Sequence, residues 1–172
     1  GGGADRLRGH TGDDLLQSLC DGPGFAGPEF FIDDPQGFVQ NTVDVLMILD
    51  ISGSSFGLFQ GSPVGDLNND GMADTILDAE IAGFIALNDQ LIADNVNAQV
   101  GIIAFDHNAY PTDMDPLAAG LQAVTAPTAD ADGNGVMDVE DALRLLQAQG
   151  STDFEPPLQG AIAFFTALAT QP

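Results

Sequence analysis

The 172-residue chain carries 26 acidic side chains against three arginines and no lysine, a formal net charge of −23, with 44% hydrophobic content. That length and apolar content suit one domain with a core plus an appendage and exclude wholesale disorder, while the charge excludes nucleic acid and anionic membrane surfaces as partners and favours cations. Cys20 is the single cysteine, which excludes an internal disulfide and a cysteine-based zinc site, and no apolar run is long enough to span a bilayer.

Residues 1–17 read GGGADRLRGHTGDDLLQ, and the pairs Asp5/Asp14, Leu7/Leu16 and Gly3/Gly12 are each nine residues apart. This nonapeptide register resembles the RTX (hemolysin-type) calcium-binding repeat, with His10 standing in place of a glycine. The resemblance implies the end of a parallel β-roll in which Gly1, Gly3, Asp5, Gly9, Gly12 and Asp14 hold Ca²⁺. Two such turns bury too little to fold alone, so further repeats are expected upstream, and the chain, which begins at Gly1, reads as part of a longer protein. Residues 18–42, broken by Pro23, Pro28 and Pro35, read as a linker.

Val43 to Asp50, VDVLMILD, is a near-continuous apolar run of the kind expected for a buried parallel strand. A helix follows with Leu77, Ile81, Phe84, Ile85, Leu91 and Ile92 on one face and Asp74 or Thr75 as its N-cap. AQVGIIAFD, Ala98 to Asp106, is a second strand. After a polar loop come a short helix from about Val139, with Asp138 as its cap, and another from Pro156 or Pro157 bearing Leu158, Ile162, Phe165 and Leu168. Strand, helix, strand and helices predict an α/β domain with a parallel sheet.

At the carboxyl end of the first strand stands Asp50-Ile51-Ser52-Gly53-Ser54, an Asp-x-Ser-x-Ser pattern that resembles the signature of the von Willebrand factor A domain. The later VGIIAF strand and the Gly150-Ser151-Thr152 segment extend the resemblance. It implies a Rossmann-like fold with a parallel sheet and flanking helices, incomplete in this chain, over residues 43–172. It also implies a metal-ion-dependent adhesion site in which Asp50, Ser52, Ser54 and Thr152 hold Mg²⁺ or Mn²⁺, and a protein partner that offers a carboxylate to the ion. The family uses a further aspartate after a later strand, which this chain does not reach.

Two acidic loops interrupt this domain, at 66–78 and 130–141. In the first, Asp66, Asn68, Asp70 and Asp74 occupy positions one, three, five and nine, with Gly71 at six, a carbonyl at Met72 and Asp78 one place beyond twelve. It resembles the nine-residue calcium turns of integrin propellers and thrombospondin type 3 repeats. The second is fuller, with Asp130, Asp132, Asn134, the Val136 carbonyl, Asp138 and Asp141 at position twelve, and resembles the loops of dockerins and EF-hands. Oxygen ligands at this spacing suit a hard cation, so Ca²⁺ is expected to act as a folding ligand.

The expected function is therefore a non-catalytic, calcium-dependent adhesion or protein-binding module of a secreted or surface-attached bacterial protein. Two alternatives stand beside it: a calcium-stiffened spacer in a large RTX exoprotein or toxin, and a serine hydrolase suggested by the G-x-S-x-G run Gly53 to Gly57 with His107 as its downstream base.

Overall fold

The computed structural model describes residues 42–170, all within one compact unit spanning Val39–Pro172. The expected RTX repeat, with Gly1, Gly3, Asp5, Gly9, Gly12 and Asp14, lies outside the described residues, as does nearly all of the expected linker.

Strand β1 (Val43–Asp50) runs parallel to β2 (Ala98–Phe105), with Val43 opposite Ala98 and Asp50 opposite Phe105. Their crossover is α1 (Ile76–Ala93). A short hairpin then turns the chain back into β3 (Ala109–Pro111), antiparallel to β2, so among the described residues the sheet order is β1-β2-β3, with β1 at one end. Helices α2 (Asp138–Arg144) and α3 (Glu155–Ala169) complete the described chain.

This arrangement corrects the fold expected from the sequence. Among the described residues the domain is a small mixed α/β fold on a three-stranded sheet, with one of its two strand pairings antiparallel, and not the Rossmann-like von Willebrand A domain on a parallel sheet that was expected. Parallel pairing of β1 and β2 follows from the helical crossover between them, whereas a turn as tight as Asp106–Asn108 can only reverse the chain.

The alternation of side chains along the strands sorts the core into two layers. Met47, Leu49, Val100, Ile102 and Ala104 meet Leu77 and Ile81 of α1 and Val139, Ala142 and Leu143 of α2. On the other face, α3 comes so close to β2 that a Cβ at Gly101 would fall 2.5 Å from the Phe164 ring. Only glycine admits that approach, and it seats α3 against the sheet.

Thr75 caps α1 through a buried capping box. The Thr75 hydroxyl accepts from the Asp78 N–H at 3.1 Å, and the Asp78 carboxylate accepts from the Thr75 N–H at 2.9 Å. Residue 137, not Asp138, stands at the N-cap of α2, and Asp138 opens its first turn. Among the described residues no helix is long and apolar enough to cross a membrane.

Candidate functional site

The carboxyl ends of β1 and β2 carry the polar constellation. After Asp50 the chain enters a single 3-10 turn, Gly53–Phe56, which folds the serines back over the strand end. The Ser52 N–H donates to Asp50 Oδ1 at 2.8 Å, and the Ser52 and Ser54 Oγ atoms stand 2.9 Å apart. Ser52 is buried and Ser54 exposed, so the pair forms a short ramp of hydroxyls from the interior to the surface.

The segment before α3 closes over this point. The Gly53 N–H donates to the Gly150 carbonyl at 3.1 Å, and the Asp153 N–H donates to the Asp106 carbonyl at 2.8 Å. Thr152, exposed, sits between these two anchored residues. The structure thus brings Asp50, Ser52 and Ser54 together and ties the Thr152 loop to the same strand ends by its backbone.

Asp106 belongs to this region and was not singled out from the sequence. It is buried, and its Oδ1 accepts from the Asn108 N–H at 2.8 Å and the Tyr110 hydroxyl at 3.1 Å, with His107 Nδ1 at 3.2 Å. Burial pushes its carboxyl up, but the Asn108 N–H, the Tyr110 hydroxyl and the His107 charge and N–H outweigh that and hold it below the usual range. Gly150, at φ 68°, lies against it: a Cβ there would fall 2.5 Å from Asp106 Oδ2. The only signal in the sequence was an aspartate at the carboxyl end of a buried strand, where open α/β sheets place their ligands.

Glu80 of α1 is the second residue missed. Burial, and then the charge of Asp50, push its carboxyl up to about 7, while the Asp50 N–H partly offsets them. Its Oε2 is buried with no hydrogen-bond donor among the described residues.

The two acidic loops fold alike. In the first, the Asp66 carboxylate accepts from the N–H groups of Asp70 and Gly71 at 3.1 and 3.0 Å. In the second, Asp130 accepts from those of Asn134 and Gly135 at the same two distances. Asn68 Oδ1 accepts from the Asp70 N–H as Asp132 Oδ1 does from the Asn134 N–H, and Asp70 Oδ1 accepts from Met72 as Asn134 Oδ1 does from Val136. Gly71 and Gly135 supply the same left-handed turn, at φ 90° and 88°.

The loops differ in how they close. In the second, the Asn134 amide donates to Asp132 at 3.0 Å and to Asp141 at 2.8 Å, so positions three, five and twelve converge. Asp138 accepts from the Ala131 N–H and from Thr125. In the first, Asp74 accepts from the Val64 and Gly65 N–H groups, and both oxygens of Asp78 are taken, by the Leu67 N–H and by Thr75. That leaves Asp78 as the helix cap and the loop without a carboxylate at its far end.

The donor set of the second loop, three or four carboxylates with an amide and a carbonyl oxygen, suits a hard cation, and its convergence on the Asn134 amide fits one centre. The first loop and the Asp50–Ser52–Ser54 cluster offer fewer charged oxygens. Among the described residues, no three His, Cys, Asp or Glu side chains are gathered closely enough to hold an ion as they stand.

The loops are also joined to one another. Arg144, at the end of α2, donates to the Leu67 carbonyl at 3.3 Å, and Gln147 donates to the Asn68 carbonyl at 3.0 Å. Asn68 returns a bond to the Leu146 carbonyl at 2.9 Å. Helix α2, which carries Asp141, therefore rests directly on the first loop.

The G-x-S-x-G serine is placed differently from a nucleophile. Ser55 is buried and its Oγ donates to the Asp50 carbonyl at 2.6 Å, while His107 is exposed beside Asp106.

No protein-family model matches this chain, and neither does any curated protein. Among solved structures, an uncharacterized membrane spanning protein from Vibrio fischeri is similar at 18% identity and a TM-score of 0.49, over 76% of this chain and 52% of that one. The PilB minor pilin from Streptococcus sanguinis is similar at 20% identity and a TM-score of 0.49, over 76% of this chain and 27% of the pilin. The chain thus spans about half the length of the first and about a quarter of the second.

Proposed function

We propose that this chain is a cation-dependent binding module, in which calcium at the two acidic loops stiffens the domain and Mg²⁺ or Mn²⁺ at Asp50, Ser52, Ser54 and Thr152 receives a carboxylate from a protein partner. The observation that carries this reading is the shared hydrogen-bond pattern of the two loops, each turning its first carboxylate onto the N–H groups four and five residues ahead. This pre-forms the turn, so the remaining oxygens need little rearrangement to meet an ion.

A bound divalent ion would supply positive charge and an open coordination position. The chain's own residues would do the rest. Asp50 orients the Ser52 backbone, the Ser52–Ser54 contact sets the spacing of the hydroxyls, and the Gly150–Gly53 bond holds the Thr152 loop over them. The strong negative charge suits a cation-bridged contact, because a partner carboxylate would otherwise be repelled. A secreted or cell-surface setting, where calcium is plentiful, fits this reading.

Titration calorimetry with calcium tests it. The chain should take up calcium, and an Asp130→Ala, Asp132→Ala variant should lose one class of sites while keeping its fold. Uptake unchanged in that variant would remove the second loop from the account, and no uptake by the folded chain would remove both.

A further inference from the structure

Helix α2 meets the second acidic loop at one end and the first at the other. Asp138 and Asp141, the ninth and twelfth positions of the second loop, lie in its first turn. The Ala131 N–H donates to Asp138 Oδ1 and the Asn134 amide to Asp141 Oδ2, each at 2.8 Å, so this loop and the helix start are tied together.

At the far end, α2 and the residues just after it hold the first loop by its third position. Asn68 is 4% exposed, and its side-chain amide donates to the Leu146 carbonyl at 2.9 Å. The Asn68 backbone carbonyl accepts from the Gln147 amide at 3.0 Å, and the Leu67 carbonyl accepts from Arg144, whose guanidinium is oriented by Glu140 at 2.7 Å. A buried amide cannot exchange its partner for water at no cost, so the Asn68 side-chain oxygen stays where Leu146 holds it.

The helix between these ends is short. Asp138–Arg144 is seven residues long, and a helix of that length is not stable by itself in water. Val139 and Leu143 bury one face in the core, but the end at the second loop carries Asp130, Asp132, Asp138 and Asp141, whose like charges oppose its closure when no cation is present. A cation there would remove that opposition and order the helix start, and with it the three contacts on Leu67 and Asn68. Order imposed at one loop then lowers the entropy lost when the other is filled, which gives positive coupling without any large movement.

We propose that α2 couples the two acidic loops, so that calcium held by either one raises the calcium affinity of the other by about tenfold, the same factor in both directions by linkage. The inference rests on the reading of both loops as calcium sites. It adds that they fill as a pair and that Asn68, Arg144 and Gln147 carry the coupling.

The test is calcium calorimetry of the 172-residue chain and of three variants: Asp66→Ala with Asp70→Ala, Asp130→Ala with Asp132→Ala, and Arg144→Gln with Gln147→Ala. The first two leave one loop each, and the product of their association constants should fall about tenfold short of the product for the two loops of the unaltered chain. The third keeps every carboxylate of both loops, so it should still take up calcium at both, with that excess gone and uptake less steep. Circular dichroism checks each fold, and if a loop variant unfolds, the steepness of uptake in the third against the unaltered chain decides. If the third unfolds, the comparison of products decides. A product for the unaltered chain that is equal or smaller, as two ions repelling one another would give, overturns the proposal and leaves the calcium reading standing. Steepness retained in Arg144→Gln, Gln147→Ala removes α2 as the route and overturns it as well. No uptake by the folded chain overturns both the coupling and the reading on which it rests.

Discussion

The Oγ atoms of Ser52 and Ser54 stand 2.9 Å apart at the carboxyl end of β1, and the Ser52 N–H is held by Asp50 Oδ1 at 2.8 Å. Two hydroxyls at that spacing, beside a carboxylate, can turn toward one small cation without moving the backbone. Ser52→Ala with Ser54→Ala should therefore lose Mn²⁺ binding, followed by electron paramagnetic resonance, while leaving calcium uptake at the acidic loops intact. Equal Mn²⁺ binding in the double variant would place that ion elsewhere.

Gly150 should tolerate no side chain. Its φ of 68° disfavours other residues, and a Cβ would meet the buried Asp106 carboxylate at 2.5 Å. Gly150→Ala should cost about 1–3 kcal/mol of stability in urea denaturation and loosen the loop bearing Thr152. A change below about 0.5 kcal/mol would mean that the loop relaxes freely.

The buried Thr75–Asp78 capping box links the first acidic loop to α1, because Asp78 also accepts from the Leu67 N–H at 2.8 Å. Asp78→Ala leaves three donors, the two of Thr75 buried and that of Leu67 partly so, without their acceptor and should destabilise the domain by about 2–4 kcal/mol. Thr75→Ala, which removes one partner, should cost less, about 1–2 kcal/mol. Denaturant midpoints of the two variants check the order.

Glu80 makes stability fall as pH rises. Its folded pKa of about 7 lies above the ordinary carboxylate value of 4.5, so between these two the folded chain holds a proton that the unfolded chain has released. Stability on this account is greatest below pH 4.5, declines across that window by on the order of 1–3 kcal/mol, and is level above it. Glu80→Gln should flatten that decline and gain stability at pH 8. Thermal melts at fixed calcium across the window give the slope, and a variant as pH-dependent as the original would contradict the assignment.

Much of the scaffold is legible in the sequence where one physical signal dominates. The run Val43 to Asp50 has no polar interruption before Asp50 except Asp44, and β1 spans those residues. Asp74 or Thr75 is expected to cap a helical apolar face, and α1 begins at Ile76 with Thr75 as its N-cap, whereas Asp78, assigned by its spacing to the first acidic loop, completes the capping box instead. Both acidic loops are visible because Asx side chains at alternate positions, followed by glycine, dictate their own turns. Strand β3 is not legible: Ala109–Pro111 is too short for a period, and it is made by the reversal at Asp106–Asn108. That reversal is what separates the observed mixed sheet from the parallel one expected. Asp106 and Glu80 escaped notice because their significance is tertiary, arising from Gly150 pressing on one and Asp50 on the other. The α3 face of Leu158, Ile162 and Phe165, which the pattern would bury, is exposed, and Phe164 and Gly160 contact the sheet instead.

The central claim is that calcium is part of the folded state. The direct measurement is a thermal melt of the chain by far-UV circular dichroism in excess EDTA, then across a calcium series, with magnesium as the control. The account predicts a midpoint that climbs with calcium at micromolar to millimolar concentration, by about 2.7 kcal/mol of added stability at a hundredfold excess over the dissociation constant, and far less with magnesium. A cooperative melt whose midpoint is the same in EDTA and in calcium would contradict it, leaving the acidic loops as hydrogen-bonded turns and no more.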